Sequence, residues 1–335
     1  MACLDRLIKT EWLWWVLFAV FVGVLPGFLE LAYVRLVVEM MILAVFAVSV
    51  NLLFGFGGML SFGQAAYFGV GAYTVAVLTV RAGVPYYAAL ALAPVLSALV
   101  ALVVGFFCVR LTEIYFSMLS LGFAQVLFAI VQQWYSFTGG DDGLQGLPIP
   151  TWITDIPFTG LYYFVGSVSL VCLLLMRLIV SSPFGYILRT VRDNAERAQF
   201  YGLHVRLYRL LAFVVAGFFG GMAGGLFPAI NQDVYPNLLF WSKSAEPLFA
   251  IILGGMGSFF GPVVGAALFM FLEDFINSFT TYWPIVMGGL LVLLVIGLPS
   301  GIVGFLQDRY RAVQARRLRT VRSEQLTPTA PMEVK

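Results

Sequence analysis

SSPFGYILRTVRDNAERAQFYGLHVRLYR, residues 181–209, is the one long polar stretch lying between hydrophobic segments of this chain. It carries Arg189, Arg192, Arg197, Arg206 and Arg209 against only Asp193 and Glu196, and it holds the sole histidine, His204. What flanks it on both sides is oily. A basic loop between apolar runs belongs on the cytoplasmic side of a bilayer, because Lys and Arg are retained there. The reading of this stretch therefore sets the orientation of the spans around it.

The composition supports a membrane setting. Of 335 residues, 61% are hydrophobic and 11% charged, whereas soluble domains carry roughly 25% charged residues. The apolar runs have the length of about 20 residues that a helix needs to cross the hydrocarbon core. They are apolar all round and lack the period-two alternation of a β-barrel. The expected fold class is an all-α polytopic membrane protein. Arg6 and Lys9 near the start, and Arg309, Arg311, Arg316, Arg317, Arg319 and Arg322 in the tail, place both termini in the cytoplasm. The tail's position directly after the last span assigns its charge to topology and lipid headgroups rather than nucleic acid. Cys3, Cys108 and Cys172 have no metal or redox spacing and read as small core residues. The first apolar run has a basic flank but no small-residue cleavage site, so it reads as an uncleaved span.

In order, the expected spans are Trp12–Leu29, Leu36–Phe54, a run from 64 to Val80, Tyr86–Val109, a span ending near Tyr135, Leu161–Val180, Leu210–Ile230 and Pro284–Val303. Outer loops lie at Phe137–Gly160, with turn residues and the acidic Asp141, Asp142 and Asp155, and at Asn231–Glu246. Pro247–Phe271 is apolar but interrupted by glycines. If it crossed fully, the arginine-rich tail would end outside. A broken or re-entrant pair restores the parity, and such irregular backbone is tolerated where it is buried in protein or lines a wet cavity. The count is then about eight full crossings plus one re-entrant pair, in a permease domain of residues 1–306 followed by a basic tail at 307–335.

Two glycine-rich breaks resemble each other, Gly57-Gly-Met-Leu-Ser-Phe-Gly63 and Gly254-Gly-Met-Gly-Ser-Phe-Phe-Gly261. Paired interrupted segments in the two halves of a chain point to a transport pathway near the midplane. Close helix packing through small residues is the other reading. Asn51, Ser61, Gln64 and Ser258 are the polar, uncharged residues beside the breaks assigned to that pathway; Thr74 lies further along, and interhelical hydrogen bonding is their plainer use.

No catalytic constellation is present. One histidine and three scattered cysteines cannot make a usual metal site, and GFGGML neither follows a soluble strand nor opens a βαβ unit. There is no GxxxxGK[ST], so the chain cannot hydrolyse ATP in the P-loop manner. An enzyme is not expected, nor is a cofactor. Charges inside the spans are few; Glu39 reads as an interfacial residue. Within 181–209, Pro183-Phe-Gly185 reads as the end of one element and Tyr186–Val191 as a short helix. Asp193 or Asn194 is an N-cap for a second helix, Ala195–Tyr201, which Gly202 closes. Ala195, Ala198 and Tyr201 fall on one side of it. Such a helix lying across the cytoplasmic face suits a groove on a partner, against the alternative of a plain solvated loop.

Three stretches carry a resemblance: NLLFGFGGMLSFGQAAYFGVGAY at 51–73, IYFSMLSLGFAQVLF with TGGDDGL within 114–144, and SPFGYILRTVRDNAERAQFYGLHVRLYRLLAFVVAGFFGGMAGGL from 182, followed by LGGMGSFFGP and GLPSGIVGFL. In combination they are similar to the LivM-type permease subunits of branched-chain amino acid ABC importers, over residues 12–306. The resemblance implies a permease in a bacterial inner membrane, paired with a second homologous permease, two cytosolic ATP-binding subunits and a periplasmic solute-binding protein, with no nucleic-acid partner. It implies that Asp193, Asn194, Ala195, Glu196, Ala198 and Gly202 lie at the interface with the ATPases. Two departures stand out: Gln64 where the family often has His, and Asp141-Asp142 where it often has Ser-Asn. Relatives within the family carry urea or other small amides and acids. An ion-coupled secondary transporter and a passive channel are the readings from other classes.

Overall fold

A computed structural model describes residues 31–111, 113–154, 159–280, 282–297 and 301–305. The expected first span Trp12–Leu29, Asp155 and the tail 307–335 lie outside them. Among the described residues, the helices of six residues or more are α1 Leu31–Asn51, α2 Gln64–Val80, α3 Tyr86–Cys108, α4 Glu113–Gln133, α5 Thr159–Ser181, α6 Pro183–Asp193, α7 Ala195–Phe200, α8 Val205–Leu226, α9 Trp241–Gly254, α10 Gly261–Asn277 and α11 Trp283–Gly297. Five of the described helical stretches are long and apolar enough to cross a bilayer: Tyr33–Phe56, Tyr86–Cys108, Ile114–Gln133, Gly160–Ser181 and Val205–Asn231.

α1 is the central helix. Every residue from Met41 to Leu53 is buried, as expected of a helix that is apolar all round. Past Asn51 it widens into a π-helical turn, Leu52–Phe56. α4 is peripheral: Ile114, Tyr115, Met118 and Val126 are exposed, an apolar surface suited to lipid.

α8 packs against α1, α2 and α3 through small residues. Along its α3 face, Gly217, Gly221 and Gly225 recur every fourth position, opposite Ala101, Ser97 and Ala93 of the antiparallel α3. Small residues at this spacing let backbones approach closely, the main source of helix association where lipid is as apolar as side chains. The contact is so close that a Cβ at Gly221 would overlap Ser97, and Gly71 of α2 lies directly on the Gly221 carbonyl. Ser97 Oγ donates to the Tyr67 carbonyl oxygen at 2.7 Å, tying α3 to α2.

The interrupted segment after residue 240 forms a helical hairpin, α9–α10. Gly254 abuts Gly261 and Gly265 abuts Ala250, an antiparallel register with glycines at the crossing. α9 begins at Trp241 rather than at Pro247, which lies inside the helix; the expected outer loop to Glu246 is correspondingly shorter. Gly301 comes back to lie against Gly254 and Gly255, so α11 returns the chain to the level of the hairpin's turn.

The two ends of the bundle differ. One end is closed by a two-stranded ribbon, β1 Leu144–Gln145 and β2 Asp233–Val234, with Leu144 opposite Val234. The expected outer loops 137–160 and 231–246 therefore pair with each other. There Arg81 donates to the Phe137 carbonyl oxygen at 3.0 Å, and Tyr135 donates to Asp142 at 2.8 Å, a bond that raises the phenol's pKa. The opposite end carries α6 and α7.

Candidate functional site

α6 starts where the sequence suggested an ending. Pro183 occupies the first helical position after an extended Ser182; there the missing N–H is no loss and the fixed φ favours the helix. α6 runs to Asp193. Asn194 is extended, and its Oδ1 accepts from the Arg197 N–H at 2.7 Å, capping α7 as expected. α7 ends at Phe200, one residue early. Gly202 has φ +78°, the left-handed conformation glycine adopts without a Cβ penalty. The Leu203 N–H donates to the Ala198 carbonyl at 3.2 Å and Gly202 N–H to that of Gln199 at 2.9 Å. This pair of bonds is the Schellman closure.

Beneath these caps is a small core of its own. Val191, Ala198 and Val205 are buried together, flanked by Ile187, Ala195 and Leu203. Of the residues expected at a partner interface, Asp193, Asn194, Glu196 and Gly202 are exposed, Ala195 is half-buried, and Ala198 is fully buried in that small core, which takes it out of any partner contact. Tyr201, placed with the alanines by helical spacing, turns outward at 76% exposure, beside Phe200 at 91%. Sequence reading missed Phe200. Its only signal was two aromatics ahead of a closing glycine, in a helix too short to bury both. The stretch is also shorter than it read: Arg206 and Arg209 belong to the first turns of α8, not to a loop.

α6 faces the break after α1. Arg189 stands over the Phe56 ring at 4.9 Å, and desolvation there lowers its pKa from the usual arginine value, with Arg177 and Arg192 acting the same way and Tyr186 opposing. Arg192 donates to the Gly55 carbonyl oxygen at 2.5 Å.

The four polar residues beside the breaks are all placed, in two pairs. Asn51, fully buried, donates from Nδ2 to the Ser258 carbonyl oxygen at 3.4 Å, while its Oδ1 has no partner among the described residues. Gln64 donates from Nε2 to Ser61 Oγ at 3.2 Å, and its Oε1 is unpaired among the described residues. Ser244, which the sequence did not single out, accepts from the Ala65 N–H at 2.8 Å and pins the start of α2 to α9. The π-helical turn that leads into the first glycine break meets the second: a Cβ at Gly55 would lie 2.5 Å from the Met256 carbonyl oxygen. Packing and polarity thus coincide at this contact.

Glu39 is not isolated either. Lys243 pairs with Glu246 at 2.7 Å, with its ammonium 5.7 Å from the Phe227 ring centre. Arg35, Glu39, Glu273 and Asp274 share the same electrostatic neighbourhood. Charges from α1, α9 and α10 therefore converge between apolar helices, an arrangement that composition alone concealed.

The described helices form an apolar bundle, broken in each half and carrying a structured basic element at one end, an architecture suited to a membrane transport permease. Residues 32–295 match the family described as the branched-chain amino acid transport system permease component, and the chain belongs to that family. It is 28% identical over 288 residues to the high-affinity branched-chain amino acid transport system permease protein LivM of Escherichia coli, covering 78% of this chain and 68% of that one. The LivM protein of Salmonella typhimurium is equally similar, at 28% over the same shares. The ribose import permease protein RbsC of Haemophilus influenzae is 22% identical over 159 residues, 45% of each chain. No solved structure matches.

Proposed function

We propose that this chain is the membrane-spanning subunit of an ATP-driven importer for leucine, isoleucine and valine in a bacterial inner membrane. The observation that carries the proposal is the family match over residues 32–295, to which the LivM relatives add the solute class. The chain would cross the bilayer eight times besides the α9–α10 hairpin, with both termini in the cytoplasm. A second permease would complete the pathway, and a periplasmic binding protein would deliver solute to the ribbon end.

Energy must come from elsewhere, because the sequence lacks a P-loop. Two ATPase subunits docking on α6–α7 would supply it, and Asp193, Asn194, Glu196 and Gly202 would be the exposed residues of that contact. Closure of the ATPases on ATP would push on α6–α7 and switch the bundle between outward and inward access. Asn51, Ser61, Gln64 and Ser258 would line or gate the route. Polar uncharged groups suit a solute that must be released as readily as it is bound.

The test is labelled leucine uptake in cells lacking their own branched-chain uptake, with the chain co-expressed with a second permease, the ATPase subunits and a binding protein of such an importer. Uptake should survive an uncoupler and stop on ATP depletion. Uptake that collapses with the uncoupler and survives ATP depletion would identify an ion-coupled secondary transporter instead.

A further inference from the structure

Two arginines one turn apart on α6, Arg189 and Arg192, bear on the π-helical turn at the end of α1, and they do different things. Arg189 lies over a ring. Arg192 reaches a backbone carbonyl 137 residues away in sequence. The last carbonyls of a helix lack intrahelical partners and carry the negative end of its dipole. A guanidinium there makes a charge-assisted bond, stronger than a neutral one. Asp193 Oδ1 accepts from Arg192 Nε at 3.2 Å and from Nη2 at 3.1 Å, which aims Nη1 at Gly55.

The break is also shaped around this side chain. Gly58 has φ +67°, and a Cβ there would lie 2.6 Å from Arg192 Cγ. One helical turn before Gly55 stands Asn51, bonded to the Ser258 carbonyl. Gly55 itself abuts Met256. The Gly55 carbonyl, the Asn51 side chain and the turn of the α9–α10 hairpin therefore lie within a single turn of α1. π-helical turns are rare but frequent at functional sites, and this one, Leu52–Phe56, is the irregular element through which α6 and the hairpin turn touch the same helix end.

We propose that Arg192 is a positioning residue: by holding the Gly55 carbonyl, it transmits movement of α6–α7 to the contact between Asn51 and Ser258. The proposal rests on the reading that ATPases drive α6–α7. It predicts uncoupling rather than loss of assembly.

The experiment uses the whole transporter in liposomes, with Arg192→Ala and Arg192→Lys. Arg192→Ala should co-purify with the ATPases and keep its basal ATP hydrolysis, while uptake falls about tenfold, the scale of one charged hydrogen bond. Arg192→Lys, which restores a donor, should recover most of the uptake. Unchanged uptake in Arg192→Ala overturns the proposal, as does a loss that follows the loss of bound ATPase and is not rescued by lysine. A second measurement needs no ATPase. Amide exchange on the permease alone should quicken in Arg192→Ala at both 52–58 and 255–260. If 255–260 is unchanged, the link to the hairpin is refuted even where the docking reading stands. If exchange responds at both segments but no ATPase binds the wild-type chain, it is the docking reading that fails.

Discussion

Asn194 holds the start of α7 with one side-chain hydrogen bond, and a cap at this point is readable in advance as Asp193 or Asn194, ahead of Ala-Glu-Arg and a closing glycine; the structure chooses Asn194. Asn194→Ala should cost about 1 kcal/mol of local stability, seen as roughly fivefold faster amide exchange across α7. Asn194→Asp should restore protection. Gly58 makes a sharper prediction. A residue with a Cβ must adopt φ +67° there and displace the Arg192 stem. Gly58→Ala should destabilise the permease by about 1–2 kcal/mol, the cost of a left-handed alanine, and lower its thermal midpoint in detergent. Exchange unchanged in the first case, or an unchanged midpoint in the second, would refute these assignments.

The element scale is where sequence and structure part most instructively. The two glycine breaks, the hairpin and the capped helix were legible because each leaves a local mark: glycine where φ is positive, a cap residue, a charge whose side of the membrane counts crossings. Pro183 was misread because proline both ends and begins helices, and only the neighbouring extended Ser182 tells which. The start of α8 was misplaced by Arg206 and Arg209; long basic side chains can leave the apolar zone while their backbone stays helical. The π-helical turn and the bond from Arg192 to Gly55 left no mark at all, since they depend on segments far apart in sequence. The α8 ridge of Gly217, Gly221 and Gly225 gives a prediction at this scale. Gly221→Val must push α8 away from α3, where a Cβ already overlaps Ser97, an overpacking cost of about 1–3 kcal/mol. The variant should aggregate at lower temperature in a heating series, whereas Gly122→Ala, at a position open to space, should not.

For the whole molecule, the central question is which way the bundle stands and what drives it. The ribbon joining 144–145 to 233–234 closes one end and α6–α7 the other, with α5 and α8 between them. In a membrane this arrangement puts Asp141 and Gln199 on opposite sides. An impermeant thiol reagent applied to whole cells should label Asp141→Cys and spare Gln199→Cys; the wild-type Cys108 and Cys172 are buried. The most direct test of the central claim sits on α7 itself. A photo-crosslinking amino acid in place of Phe200, the most exposed aromatic on that face, should capture a P-loop ATPase subunit in whole membranes, and charge reversal of Glu196 should weaken the capture. Leucine uptake that persists while Phe200 captures no ATPase would contradict the claim.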